Sequence, residues 1–247
     1  MRSSLVFFIS ILTFTNFSQA QQVEWKKMFL NDAMGVWDES SELADPGNDD
    51  DGIGKYCACW LFDNDVTTAW VEGVKGDGIG EYVLIGQKKN LPDKIHINNG
   101  YQKSESLYLK NGRPKSLGIS LYVAYHLPAD VTELGGNYYC LPFQDTRLIE
   151  GNLFPMKNSL RVRDKMETQF FVLPFDKEKV ASLKEFGDSL FKEDFGERQT
   201  EMLKNSGGYK QYEPFFGYVF KLEILDVYKG SRWDDICISC KSPGYRG

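Results

Sequence analysis

"DNDVTTAWVEGVKGDGIGE", residues 63–81, runs directly into "YVLIG" (82–86) and sets carboxylates, a threonine pair, a tryptophan and four glycines ahead of an apolar run. Metal loops, phosphate loops and sandwich corners all use such residues, and spacing separates them. A calcium loop of the EF-hand kind starting at Asp63 needs glycine where Thr68 stands and a bidentate glutamate where Val74 stands. A dinucleotide loop needs a helix after its glycines, whereas Gly76, Gly78 and Gly80 lead into a strand-like segment. The corner reading survives. Asp63 and Asp65 are placed to accept backbone N–H groups two residues on, and Gly73, Gly76, Gly78 and Gly80 admit a tight crossing. Residues 68–70 then begin a strand that buries the Trp70 indole as core.

Outward from this corner the pattern is β. Ile95 and Ile97 alternate in "KIHIN", as do Ile119, Leu121 and Val123 in "GISLYVAYH" and Phe220, Leu222 and Ile224 in "YVFKLEIL". "EYVLIG", "NYYCL", "TQFFVLP" and "DICISC" add aromatic and β-branched runs bounded by Gly, Pro and Asn. One segment, 176–205, changes period: Val180, Leu183, Leu190, Phe191 and Phe195 recur at helical spacing, and Gly187 and Gly196 weaken it. The fold class is all-β, a sandwich with a helical insertion over about 176–205.

At the N-terminus, Arg2, the apolar run 5–14 and a small Ala20 have the grammar of a secretory signal over 1–20, which places the protein outside the cell or in a periplasm. No later apolar stretch is long enough to span a bilayer. Residues 21–40 read as an N-terminal extension and 41–247 as the domain. The chain carries 29 basic against 35 acidic side chains, net −6, and loss of Arg2 makes it more negative; a phosphate backbone is a poor partner for it. The three aspartates at 49–51 read as a solvated loop.

Five cysteines, Cys57, Cys59, Cys140, Cys237 and Cys240, suit disulfides with one thiol left over in an exported protein, and their C-x-C and C-x-x-C spacings also suit a four-thiolate zinc site. Cys57 and Cys59 read as neighbours on one strand face. Hydrolytic chemistry has little support. His96 and His126 are the two histidines, each on a candidate strand, and neither a G-x-S-x-G elbow nor an H-E-x-x-H pair occurs. Carboxylate pairs for glycoside hydrolysis are available among the acids, but spacing singles out none.

"LFDNDVTTAW" (61–70) resembles the "DG-x-x-x-T-x-W" corner of discoidin, or coagulation-factor type C, domains of the galactose-binding-like group. "TAWVEG" with "GDGIGEYVLI", "NNGYQKS" (98–104), "LKNGRPKSLGISL" (109–121) and "LEILDVYKGSRWDDICIS" (222–239) is similar in order and spacing to the NADase-type glycan-binding domain, also described as the translocation domain of secreted NAD glycohydrolases. The likeness covers about residues 40–240. It implies a jelly-roll β-sandwich that binds a glycan or glycoconjugate through loops at one end without catalysis, the NAD glycohydrolase catalytic module being missing. The alternatives are a secreted glycoside hydrolase and a protein-binding adhesion module. By motif the glycan contacts are Glu72, Asp77, Tyr101, Lys103, Asn111 and Arg113. The resemblance also implies a structural calcium at Asp63, Asp65 and Thr68, closed by an acidic residue on the last strand. Here that residue is Cys240, a soft ligand for a hard cation. The departure implies a disulfide in the metal's place, joining Cys57 or Cys59 to Cys237 or Cys240.

Overall fold

The computed structural model describes residues 24–45, 54–132, 134–144, 146–149, 152–155, 157–205 and 212–241. The signal at 1–20 and most of the acidic loop around 49–54 lie outside them. In chain order the strands are β1 (Lys26–Asn31), β2 (Val36–Glu39), β3 (Trp70–Val71), β4 (Tyr82–Lys88), β5 (Lys94–Asn99), β6 (Arg113–Val131) and β7 (Gly135–Pro142). They continue with β8 (Thr146–Ile149), β9 (Asn152–Pro155), β10 (Asn158–Arg161), β11 (Thr168–Val172), β12 (Phe215–Tyr228) and β13 (Cys237–Lys241). Helix α1 (Glu105–Lys110) precedes β6, and α2 (Lys177–Asn205) links β11 to β12.

Seven strands form one sheet in the order β10-β6-β12-β4-β2-β1-β7, and β7 pairs again with β6. The second pairing closes a ring of six strands. Strand β6 makes this possible by its length of 19 residues. Along one edge it takes β10 at residues 116–119 and β7 at 122–126, while β12 follows the other edge through three irregularities of register. Such bulges increase local twist and bend the strand, which is how a sheet curls back on itself.

The two faces of this sheet bury different cores. Outside the ring, Leu117, Ile119, Leu121, Val123, Phe220 and Leu222 face Trp70, Ile97 and Ile238 of a four-stranded sheet ordered β11-β5-β13-β3. Inside it, Met28, Leu30, Val36, Leu84, Ala124, Cys140 and Val219 form a separate cluster, none more than 8% exposed. Period-two alternation along each strand supplies both sets at once.

Where the smaller sheet ends, α2 takes over. Its Val180 and Phe191 are buried, and Phe191 stacks on Tyr125 of β6 at 5.2 Å between ring centres. The Tyr125 hydroxyl donates within reach of the Lys184 carbonyl (2.8 Å) and the Asp188 carboxylate (2.9 Å). Gly187 is what lets the ring so close: a Cβ there would stand 2.6 Å from the Tyr125 oxygen. The glycine that weakens the helical pattern in the sequence is thus a packing requirement.

Two expectations are corrected. The described part of the expected extension at 21–40 belongs to the domain, because β1 and β2 are members of the ring and Met28, Leu30 and Val36 line its interior. Cys57 and Cys59 are not on a strand. Cys57 caps a 3-10 turn, Ala58–Phe62, and the structure bonds it to Cys59 across a Cα separation of 5.3 Å. Cys140 and Cys237 are buried free thiols, burial pushing Cys140 up to about 12. The cross-link from Cys57 or Cys59 to the last strand therefore does not form, since each sulfur already has the other.

Replacing Leu30, fully buried inside the ring, by alanine is expected to destabilise by about 3 kcal/mol in urea unfolding, and Phe29→Ala on the exposed side by less than about 1 kcal/mol. Equal losses would contradict the closed ring. In non-reducing peptide mapping the peptide carrying Cys57 and Cys59 is expected to be lighter than its reduced form by two hydrogens, unalkylated and linked to no other peptide, and iodoacetamide is expected to reach Cys140 and Cys237 only after unfolding.

Candidate functional site

The corner at residues 63–70 is built as its chemistry predicts. Asp63 Oδ1 accepts the Asp65 N–H at 2.7 Å, and Asp65 Oδ1 accepts the Thr67 N–H at 2.8 Å. The Thr68 hydroxyl lies 2.7 Å from Asp63 Oδ2 and 2.9 Å from the Asp65 carbonyl, which also receives Ser239 of β13 at 3.4 Å. Trp70 is fully buried, its indole N–H on the Ser41 carbonyl at 2.9 Å. Protein donors reach both Asp63 carboxylate oxygens, one of Asp65 and its carbonyl, so hydrogen bonds hold Asp63, Asp65 and Thr68 in this corner. Among the described residues no group of three or more His, Cys, Asp or Glu side chains is placed to hold a metal.

Past Trp70 the chain reaches one end of the molecule, where β3 stops, β4 and β6 start and β12 gives way to β13. All six motif-derived contact residues lie at this end, but in two different roles. Glu72, Asn111 and Arg113 are buried. Glu72 Oε2 accepts the Val74 N–H at 2.8 Å and Oε1 the Ile236 N–H at 3.2 Å, tying the glycine loop to the last strand. Burial raises its carboxyl, and those two N–H groups oppose the rise. Gly78, in the left-handed region at φ +57, passes directly over it, and a Cβ would lie 2.7 Å from the Glu72 carboxyl carbon.

Arg113 grips three segments. Its Nε and Nη2 meet Asp164 at 2.7 and 3.0 Å, and Nη1 donates to the carbonyls of Tyr108 (2.9 Å) and Asn111 (2.8 Å). The guanidinium holds the Asp164 carboxyl below its ordinary range. Asn111 donates its amide to the Leu107 carbonyl at 2.8 Å, closing α1. These three residues scaffold the site, and their polar groups point into the protein.

Asp77, Tyr101 and Lys103 are at the surface. Tyr101 packs against the cluster of Ala69, Val71 and Cys237, and Lys103 is exposed. Asp77 pairs with Lys229 at 3.1 Å on the wall of a cleft of about 500 Å³. The opposite wall is Ser231, Arg232, Trp233 and Asp234. Asp234 accepts the Gly76 N–H at 3.1 Å, which joins the two walls. The loop carrying Trp233 rests on the C-terminal end of α1: Ser231, Arg232 and Trp233 donate their N–H groups to the Leu109 and Lys110 carbonyls at 2.9–3.2 Å. Gly230 makes the approach feasible, since a Cβ there would stand 2.3 Å from the Lys110 carbonyl oxygen. Trp233 is half-buried, with Lys110 Nζ 5.9 Å and the Arg232 guanidinium 5.0 Å from its ring.

Sequence reasoning missed Trp233, Arg232, Asp234 and Lys229. The signal available was "YKGSRWDD", an aromatic between a cation and two acids just before the last strand. A ring face with cations and carboxylates around it can stack on an apolar sugar face while the polar groups bond its hydroxyls.

A family model described as the NAD glycohydrolase translocation F5/8 type C domain matches residues 28–240. No curated protein and no solved structure matches the chain.

The corner also holds a group that titrates near neutrality. Glu39 accepts the Ala58 N–H at 2.7 Å between the two bonded cysteines. Burial, with Glu42 and Asp38 adding repulsion, pushes its carboxyl up to about 8 from 4.5, although the Ala58 N–H pulls the other way. The folded protein thus binds this proton more tightly than the unfolded chain does. Its contribution is full below the unfolded value and is lost as pH rises through about 8. Unfolding followed from about pH 5 to pH 9 is expected to show Tm falling on the alkaline side, and Glu39→Gln to flatten that slope; an unchanged slope in the variant would assign the effect elsewhere.

Proposed function

The chain belongs to the NAD glycohydrolase translocation F5/8 type C family, and from that premise we propose that it is a secreted, non-catalytic protein that binds a glycan or glycoconjugate at a cell or host surface. At the level the family fixes, the domain is a translocation or binding module and not the catalytic module of those enzymes. In this reading the β-sandwich is a jelly roll, α2 is an insertion in it, and the leader at 1–20 sends it out of the cell.

The observation that carries the proposal is Trp233, a half-buried indole held by backbone hydrogen bonds in a cleft that also presents Asp77, Lys229, Arg232 and Asp234. Half-burial leaves part of the ring for a ligand, and the fixed backbone lowers the ordering cost of binding. Asp77 comes to the site from the glycine loop of the opening stretch, which gives that loop a part in recognition beyond its turn.

A glycan array read with the wild-type protein and Trp233→Ala tests this. The variant is expected to lose binding by about tenfold or more while Tm stays within a few degrees. Arg113→Ala should behave differently, losing about 2–3 kcal/mol of stability because Asp164 and two carbonyls lose their partner. Failure of the wild type to bind any glycan, with capture of a protein ligand instead, would replace this reading by the adhesion module. Turnover of a bound sugar would replace it by the hydrolase.

A further inference from the structure

A second cleft, of about 600 Å³, lies at the opposite end of the ring strands, where β4 ends and β12 begins. It is lined by the half-buried Tyr212 and His126 of β6, with the edges of the largely buried Phe215 and Phe216 behind them. The backbone around it is fixed at several points. His126 donates its N–H to the Pro214 carbonyl at 2.9 Å, and the Tyr212 hydroxyl donates to the His126 carbonyl. Tyr138 of β7 packs edge-on to Phe216 at 4.7 Å, and His126 sits 5.2 Å from the Tyr212 ring.

Two local distortions meet here. Strand β12 is irregular between Phe215 and Gly217, and Gly217 takes φ +147 with the Gln87 carbonyl 2.2 Å from where a Cβ would be. Lys89 adopts the left-handed region at φ 61, its N–H bound to the Phe216 carbonyl at 3.0 Å. A lysine pays for that conformation with steric strain, and bulges and strained residues concentrate where side chains must be aimed. The result of both is that Lys88 and Lys89 border the cleft.

The electrostatics run against the chain as a whole. The protein is net −6, yet this cleft has two ammonium groups that make no ion pair among the described residues, against the single carboxylate of Glu213. Of the acids behind it, Asp130 is bonded by Asn137 and Tyr139 and approached by Arg198, and Asp32 lies on the Tyr138 side. Burial, then the nearby Lys88, hold the His126 imidazole below its ordinary range.

We propose that this cleft is a second ligand site, for an anionic compound of monosaccharide size whose carboxylate or sulfate is held by Lys88, Lys89 and His126 and whose ring packs against Tyr212. The anion supplies the charge that the lysines lack, and it favours protonation of His126. Affinity therefore rises as pH falls. The site is separate from the Trp233 cleft and does not depend on it.

The chain has two histidines, which makes the test direct. Imidazole resonances of the full protein, assigned with a His96→Gln variant, are followed by NMR during titration with sodium glucuronate and with glucose at constant ionic strength. Glucuronate is expected to shift His126 saturably and raise its titration midpoint, to leave His96 on the other sheet unmoved, and to bind about tenfold or more weaker to the Lys88→Ala/Lys89→Ala double variant. Trp233→Ala should leave this binding intact, which separates it from the glycan reading. Equal response to glucose, parallel movement of both histidines, or undiminished binding by the double variant would each overturn the proposal; the His96 resonance reports whether the variants are folded.

Discussion

The Arg113 guanidinium is the fixed point of the site end. It is 5% exposed, and a charge so placed is tolerated only when its donors are satisfied. Two N–H groups go to Asp164 on the loop after β10 and two to carbonyls around the end of α1. That grip sets the position of α1, and the exposed end of α1 in turn seats the Trp233 loop. Glu72 does the corresponding work on the other side, joining the glycine loop to β13 through two backbone N–H groups. Two buried charges of opposite sign, neither paired with the other, thus fix the two walls of one cleft.

This arrangement also answers how the last strand is fastened without the expected cross-link. Cys57 and Cys59 are bonded to each other, and Cys237 is a buried thiol among Ala69, Val71 and Tyr56. The strand is held by its ladder to β5 and β3, by Glu72, and by the Ser239 hydroxyl on the Asp65 carbonyl. Hydrogen bonds to backbone groups serve where the sequence suggested sulfur or a metal.

The sequence made the strands and the helix legible because their signals are local. Ile95 and Ile97, Ile119 to Val123 and Phe220 to Ile224 alternate as read and are buried as read, and the Asx geometry of Asp63 and Asp65 follows from side-chain chemistry two residues long. Ring closure was not legible. It depends on β1 pairing with β7 and on β12 pairing with β6 and β4, and pairing partners far apart in sequence leave no trace in periodicity. The same limit explains β1 and β2, whose short runs look like an extension until a partner is known. For the candidate site, motif position gathered six residues at one end of the molecule but could not separate buried from exposed: Arg113 and Glu72 carry the charged chemistry expected of ligand contacts, and only their burial shows what they bind.

The order of strands in the ring has a consequence for how the chain folds. β12 lies between β6 and β4, so these two strands have no partner on their facing edges until residues 215–228 have been synthesised. The N-terminal three-quarters of the chain cannot close its interior, and Leu30 and Ala124 must wait for Val219. Closure over such sequence separations is slow, since the loop entropy is lost before the contacts form. A chain emerging N-terminus first therefore keeps this ring open until β12 is made, and β12 acts as the keystone that ends that state.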